Sequence, residues 1–97
     1  MKLDPAETEL VGRWSLLNGT MKPDAVTQRI EQLLQHHLTE IGADESGWDV
    51  LYRDPVDGRL WELTYPVSDT HGSGPPTLKT IDSSAAQAKY KALKSSL

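Results

Sequence analysis

Neither cysteine nor phenylalanine occurs in this 97-residue sequence. The missing thiols exclude disulfide frameworks, thiolate zinc sites and cysteine nucleophiles together, and they suit a reducing compartment. The missing phenylalanine leaves three Trp and three Tyr as the first candidates for filling the core. Positive charge is also scarce: Lys and Arg total 10 against 14 Asp plus Glu, a formal net charge of −4. That balance opposes nonspecific affinity for phosphate backbones and favours a basic partner. No long apolar run is present, and Met1 to Gly12 carries Asp4, Glu7 and Glu9, so neither a secretory signal nor a transmembrane segment is expected. The expectation is one cytoplasmic domain, residues 1–97, with neither a membrane nor a nucleic acid as partner.

Along the chain, Leu3, Ala6 and Leu10 have helical spacing, with Asp4 as N-cap and Pro5 at the first helical position. This predicts one or two short helical turns ending at Gly12. Arg13 to Leu17 reads as a short strand before a turn at Asn18-Gly19. From Asp24 as N-cap, Val26, Ile30, Leu33, Leu34, Leu38 and Ile41 recur every three or four residues, predicting a long amphipathic helix stopped by Gly42. Two runs rich in aromatic and branched residues, Trp48 to Arg53 and Arg59 to Tyr65, flank Asp54-Pro55-Val56-Asp57-Gly58 and predict a β-hairpin. Alternation turns Trp61, Leu63 and Tyr65 toward the helix and Glu62 away, so the sheet is expected to pack on one face. Thr77 to Ile81 reads as a third strand, and Asp82, Ser83 or Ser84 caps a final helix carrying Ala86, Tyr90, Leu93 and Leu97. The fold class is α+β: a small antiparallel sheet built around a β-hairpin, packed against a long amphipathic helix, with a C-terminal helix.

Candidate chemistry is sparse. His71 lies in the loop Ser68 to Pro76, where two glycines expose backbone N–H groups and a histidine titrates near neutral pH. Pro75-Pro76 opposes a phosphate cradle by removing two donors, which favours a rigid connecting loop. Glu62 and His71, with Asp57 or Asp69 as a second carboxylate, have the residue types of a small metal-dependent hydrolase. No nucleophile elbow, zinc-protease motif, calcium loop or dinucleotide fingerprint accompanies them, so no catalytic site, metal or cofactor is expected. His36 and His37 are adjacent and on a helix point about 100° apart, poor geometry for one metal; His37 is expected to border the apolar stripe. Trp14, Trp48 and Trp61 suit interface anchors as well as core, and core is the stronger reading for Trp61 and, less strongly, for Trp48.

Several runs together form a pattern: Gly12-Arg13-Trp14, Gly47-Trp48, Leu51 to Arg59, Trp61 to Pro66, and His71-Gly72-Ser73-Gly74-Pro75-Pro76, with the later Lys89-Tyr90. With these the chain resembles the immunity protein 27 family of bacterial polymorphic-toxin systems. The resemblance runs from about Leu10 to Tyr90, its specific part lies between Asp54 and Pro76, and Ser73 stands where the family pattern has Gly. It implies a cytoplasmic antidote that binds and blocks a cognate toxin domain without catalysis. The acidic residues Asp54, Asp57 and Asp69, with His71, are the expected toxin-binding positions, because complementary charge speeds encounter with a basic toxin and a Pro-braced loop loses little entropy on binding.

Overall fold

In the computed structural model, which describes residues 2–66, 74–91 and 93, five strands make one antiparallel sheet and two more make a separate hairpin. The elements run β1 (Glu9–Val11), β2 (Trp14–Leu17), β3 (Thr20–Pro23), α1 (Ala25–His36), β4 (Thr39–Ala43), β5 (Val50–Arg53), β6 (Leu60–Thr64), β7 (Thr77–Ile81) and α2 (Ser83–Lys89). The large sheet has the order β1-β7-β6-β5-β4, with β2 and β3 pairing by themselves. The expected central hairpin is therefore present as β5 and β6, and the expected third strand as β7. The strand expected near Arg13 to Leu17 is β2, and positive φ at both Asn18 (53°) and Gly19 (77°) suits the tight turn into β3.

Two expectations for local structure are corrected. The N-terminal segment forms no helix: Asp4 organises a turn instead, with Glu7 N donating to Asp4 O (2.9 Å) and Ala6 N to Asp4 Oδ1 (2.8 Å). The chain then enters β1, where Leu10 faces the core while Glu9 and Val11 face outward. The helix capped by Asp24, whose side chain accepts from Thr27 N at 2.8 Å, stops at His36 rather than near Ile41. His37 N and Leu38 N both donate to Leu33 O, which closes the last turn. Leu38 stays in the core from the linker, while Ile41 belongs to β4 beside an irregularity in register between Glu40 and Gly42. Gly42 ends no helix. A Cβ there would lie 2.6 Å from Leu93 Cδ1, so its missing side chain admits Leu93 against the edge strand.

The sheet packs on both faces, not one. On one face, Ile30 and Leu33 of α1 form a core with Leu3, Leu10, Leu38, Tyr52, Trp61, Leu63 and Leu78, with Val26, Leu34, Val50 and Tyr65 partly buried around them. Trp61 and Leu63 point to this side as their alternation requires, and Trp61 is fully buried. Across the sheet, Leu51 and Leu60 meet Ala86 and Tyr90, with Ile41, Ile81 and Leu93 at the margin. α2 begins at its N-cap Asp82, which accepts from Ala85 N, and ends at Lys89, so Tyr90 and Leu93 pack from beyond its end. Leu97 lies outside the described residues.

Register gives the sheet two distinct ends. At one, Leu60 pairs with Ile81 and Arg53 while Arg53 pairs with Thr39, and the turn Asp54–Gly58 closes it. At the other, Thr64 and Val11 flank Thr77, while Val50 pairs with Leu63 and Ala43. The connections from β4 to β5, from β6 to β7 and from β1 to β2 all leave from this second, loop end.

Candidate functional site

Asp54 anchors the hairpin turn from inside. Its backbone N donates to Arg59 O (2.9 Å) and its carbonyl accepts from Gly58 N (2.8 Å). Its carboxylate, 1% exposed, accepts from Val56 N at 2.8 Å and lies 3.0 Å from Nε2 of His37, the residue capping α1. Asp54 therefore spends its acceptors on the scaffold and ties the turn to the helix. His37 indeed borders the apolar stripe, as a cap. Asp57 lies on the outer side of the same turn, where Oδ1 accepts from Arg59 N (3.0 Å) and Oδ2 pairs with Arg59 Nε (2.6 Å). The backbone bond from Arg59, then its guanidinium, hold the Asp57 carboxyl below its ordinary range. Arg59 also donates to the carbonyls of Glu7 (2.6 Å) and Asp4 (3.2 Å) and sits 5.0 Å above the Trp61 ring.

The other two expected contacts, Asp69 and His71, lie outside the described residues. Their loop departs at Pro66 and returns through Pro76, whose carbonyl accepts from Gly12 N at 2.8 Å. Pro66 and Pro76 thus adjoin the loop end, whereas Asp54 and Asp57 adjoin the turn end. The five residues of β6 put on the order of 13 Å between them. The turn and the loop's anchor points are not brought together.

Glu62 and Asp57 are not brought together either. Glu62 faces α2 with 4% exposure, and its Oε2 accepts from Tyr90 Oη (2.9 Å) and pairs with Lys89 Nζ (2.6 Å). Lys89 also pairs with Asp49 Oδ2 at 2.6 Å. Burial depresses the lysine's affinity for its proton, but the bonds to Asp49 and Glu62 outweigh it and leave the ammonium stabilised. Burial, then the bond to Glu62, push the Tyr90 hydroxyl far above its ordinary value. The cluster pins α2 to the sheet. No group of three or more His, Cys, Asp or Glu suited to a metal occurs among the described residues. No helix among them is long and apolar enough to cross a membrane.

Ala43 to Gly47 reads in the sequence as a solvated acidic loop; what sequence reasoning missed is that it joins β4 to β5 and how its bonds place Trp48. Asp44 Oδ1 accepts from Ser46 Oγ (2.6 Å) and Gly47 N (3.1 Å), Trp48 N donates to Ser46 Oγ (3.1 Å), and Asp44 N donates to Asp49 O (2.9 Å). Gly47 takes φ +81°, which turns the chain back toward β5. Trp48, for which core was the stronger reading, is 45% exposed. The reason is placement: it precedes β5 on a tight loop beyond the last sheet pairing, so strand alternation gives it no inward side. Trp14, at the start of β2, is 40% exposed. The signal available in the sequence was Asp44-Glu45-Ser46-Gly47 directly before Trp48, a turn-forming run that removes the tryptophan from the strand.

A five-stranded antiparallel sheet with a helix on each face defines a small α+β protein. The family model for Immunity protein 27 matches residues 16–82, from β2 through β7, and the chain belongs to that family. Comparison with curated proteins and with solved structures gave no match.

Proposed function

We propose that the protein is a cytoplasmic immunity protein that binds a cognate bacterial toxin domain and neutralises it by masking. Membership of the Immunity protein 27 family carries this reading. The acidic balance supports it, since a net charge of −4 draws in a basic toxin and raises the encounter rate. Within this reading Asp54 braces the turn, and Asp57 and Asp69 contribute to the field that steers the partner. The test is co-expression with the toxin domain encoded beside it, together with a binding assay on purified components. Wild-type protein is expected to bind and to rescue growth; failure of both overturns the proposal. Asp57→Lys combined with Asp69→Lys is expected to slow association, with the difference shrinking as salt rises.

A further inference from the structure

We infer that the toxin docks on the loop end of the sheet, with Trp48 as its anchor; this rests on the antidote reading above. Of the four large hydrophobic side chains exposed among the described residues, Val11 (36%), Trp14 (40%) and Trp48 (45%) lie at or just beyond this end, and only Val56 lies at the turn end. Val11 ends one edge strand, Trp14 follows it and Trp48 follows the other edge strand, so the width of the five-stranded sheet separates them. At about 4.8 Å per strand that is roughly 19 Å, a span suited to an ordinary protein interface of about 800 Å² per partner.

Two properties single out Trp48 as the anchor. Its loop is already fixed, because backbone or side chain at positions 44, 46, 47, 48 and 49 is hydrogen-bonded. Binding therefore costs little additional order, and tryptophan in such a position is the side chain most enriched among binding hot spots. The second property is charge. Asp44, Glu45 and Asp49 flank the indole in sequence, and Lys89, which pairs with Asp49, is shared between Asp49 and Glu62. The surface thus presents an aromatic knob in a negative rim. Its complement is a basic protein face with a slot for the exposed part of the indole.

The experiment measures toxin binding by wild type and three variants, with protection in co-expression measured alongside. Trp48→Ala is expected to weaken binding roughly tenfold or more, chiefly through faster dissociation, while Trp48→Phe retains part of the affinity. Glu45→Lys slows association in a salt-dependent way. Val56→Ala, at the opposite end, leaves binding unchanged. Thermal unfolding of Trp48→Ala close to that of wild type ties the loss to the surface, and the graded Trp48→Phe response serves the same purpose should the alanine variant fold poorly. Wild type that binds and protects, with Trp48→Ala and Glu45→Lys binding equally well, overturns this site and leaves the antidote reading standing. Loss of self-association in Trp48→Ala with unchanged toxin affinity also overturns it, since the knob then serves a second copy of the chain. Wild type that neither binds nor protects removes both.

Discussion

The Tyr90 hydroxyl donates to Glu62 Oε2 at 2.9 Å across the α2 face of the sheet, joining the residue that caps the end of α2 to the centre of β6. Both groups are buried, at 1% and 4% exposure. Tyr90→Phe removes the donor while keeping the ring, so the carboxylate depends on Lys89 alone. The variant is expected to lose about 1–3 kcal/mol in denaturant unfolding. Unchanged stability would show the bond to be energetically idle.

Trp61 is fully buried between β6 and α1, and its Nε1 has no hydrogen-bond partner among the described residues. Trp61→Ala opens a large cavity and is expected to cost roughly 3–5 kcal/mol. Trp61→Phe keeps much of the volume and removes an unsatisfied donor, so it is expected to cost much less. Equal losses in the two variants would contradict a packing role.

Gly58 has φ +78°, and an added Cβ would meet nothing within 4 Å. Backbone strain is therefore the whole penalty of substitution. Gly58→Val is expected to reduce stability by about 1–3 kcal/mol, and Gly58→Asn by less, because Asn tolerates the left-handed region. Valine matching asparagine in chemical denaturation would argue against strain.

Glu7 pairs with Arg29 at 2.5 Å, and this bond, with the backbone bond from Asp4, lowers its pKa from 4.5 to about 2. A carboxyl whose folded pKa is depressed contributes stability above its unfolded value and loses it as pH falls through the folded one. The pair is thus expected to stabilise fully above about pH 4.5 and to fade toward pH 2. Glu7→Gln should flatten the stability profile in that window and leave its neutral arm parallel to wild type. Identical acid arms would remove the pair from the account.

What the sequence revealed was local. The β5–β6 hairpin was legible because Asp54 to Gly58 combines a Pro, an Asp-Gly and flanking aromatic runs, and Trp61 faced the core because period-two alternation is strong there. The overlong helix has a physical cause: Leu38 and Ile41 continue the apolar spacing, yet Leu38 reaches the core from the linker and Ile41 from a strand whose partner lies about ten residues later. Thr39 and Ile41, both β-branched, carried a weak strand signal that the helical period masked. The pairing of β1 with β7 left no local trace, and the short helix capped by Asp82 gave no sign that it covers the far face. Among the site residues, acidity alone did not separate Asp54, an internal strut, from Asp57 on the surface.

That β1 pairs with β7 also bears on synthesis. Val11 opposes Thr77, 77 − 11 = 66 positions later, and a translating ribosome adding ~5–20 residues per second takes roughly 3–13 s to cover that distance. Throughout the interval Leu3 and Leu10 lack the neighbouring strand that carries Leu78, a member of their core. The segments of α1 and of the β5–β6 hairpin are translated before the sheet can close. Completion of the sheet waits until β7 has been translated, and each new molecule closes it only after that delay.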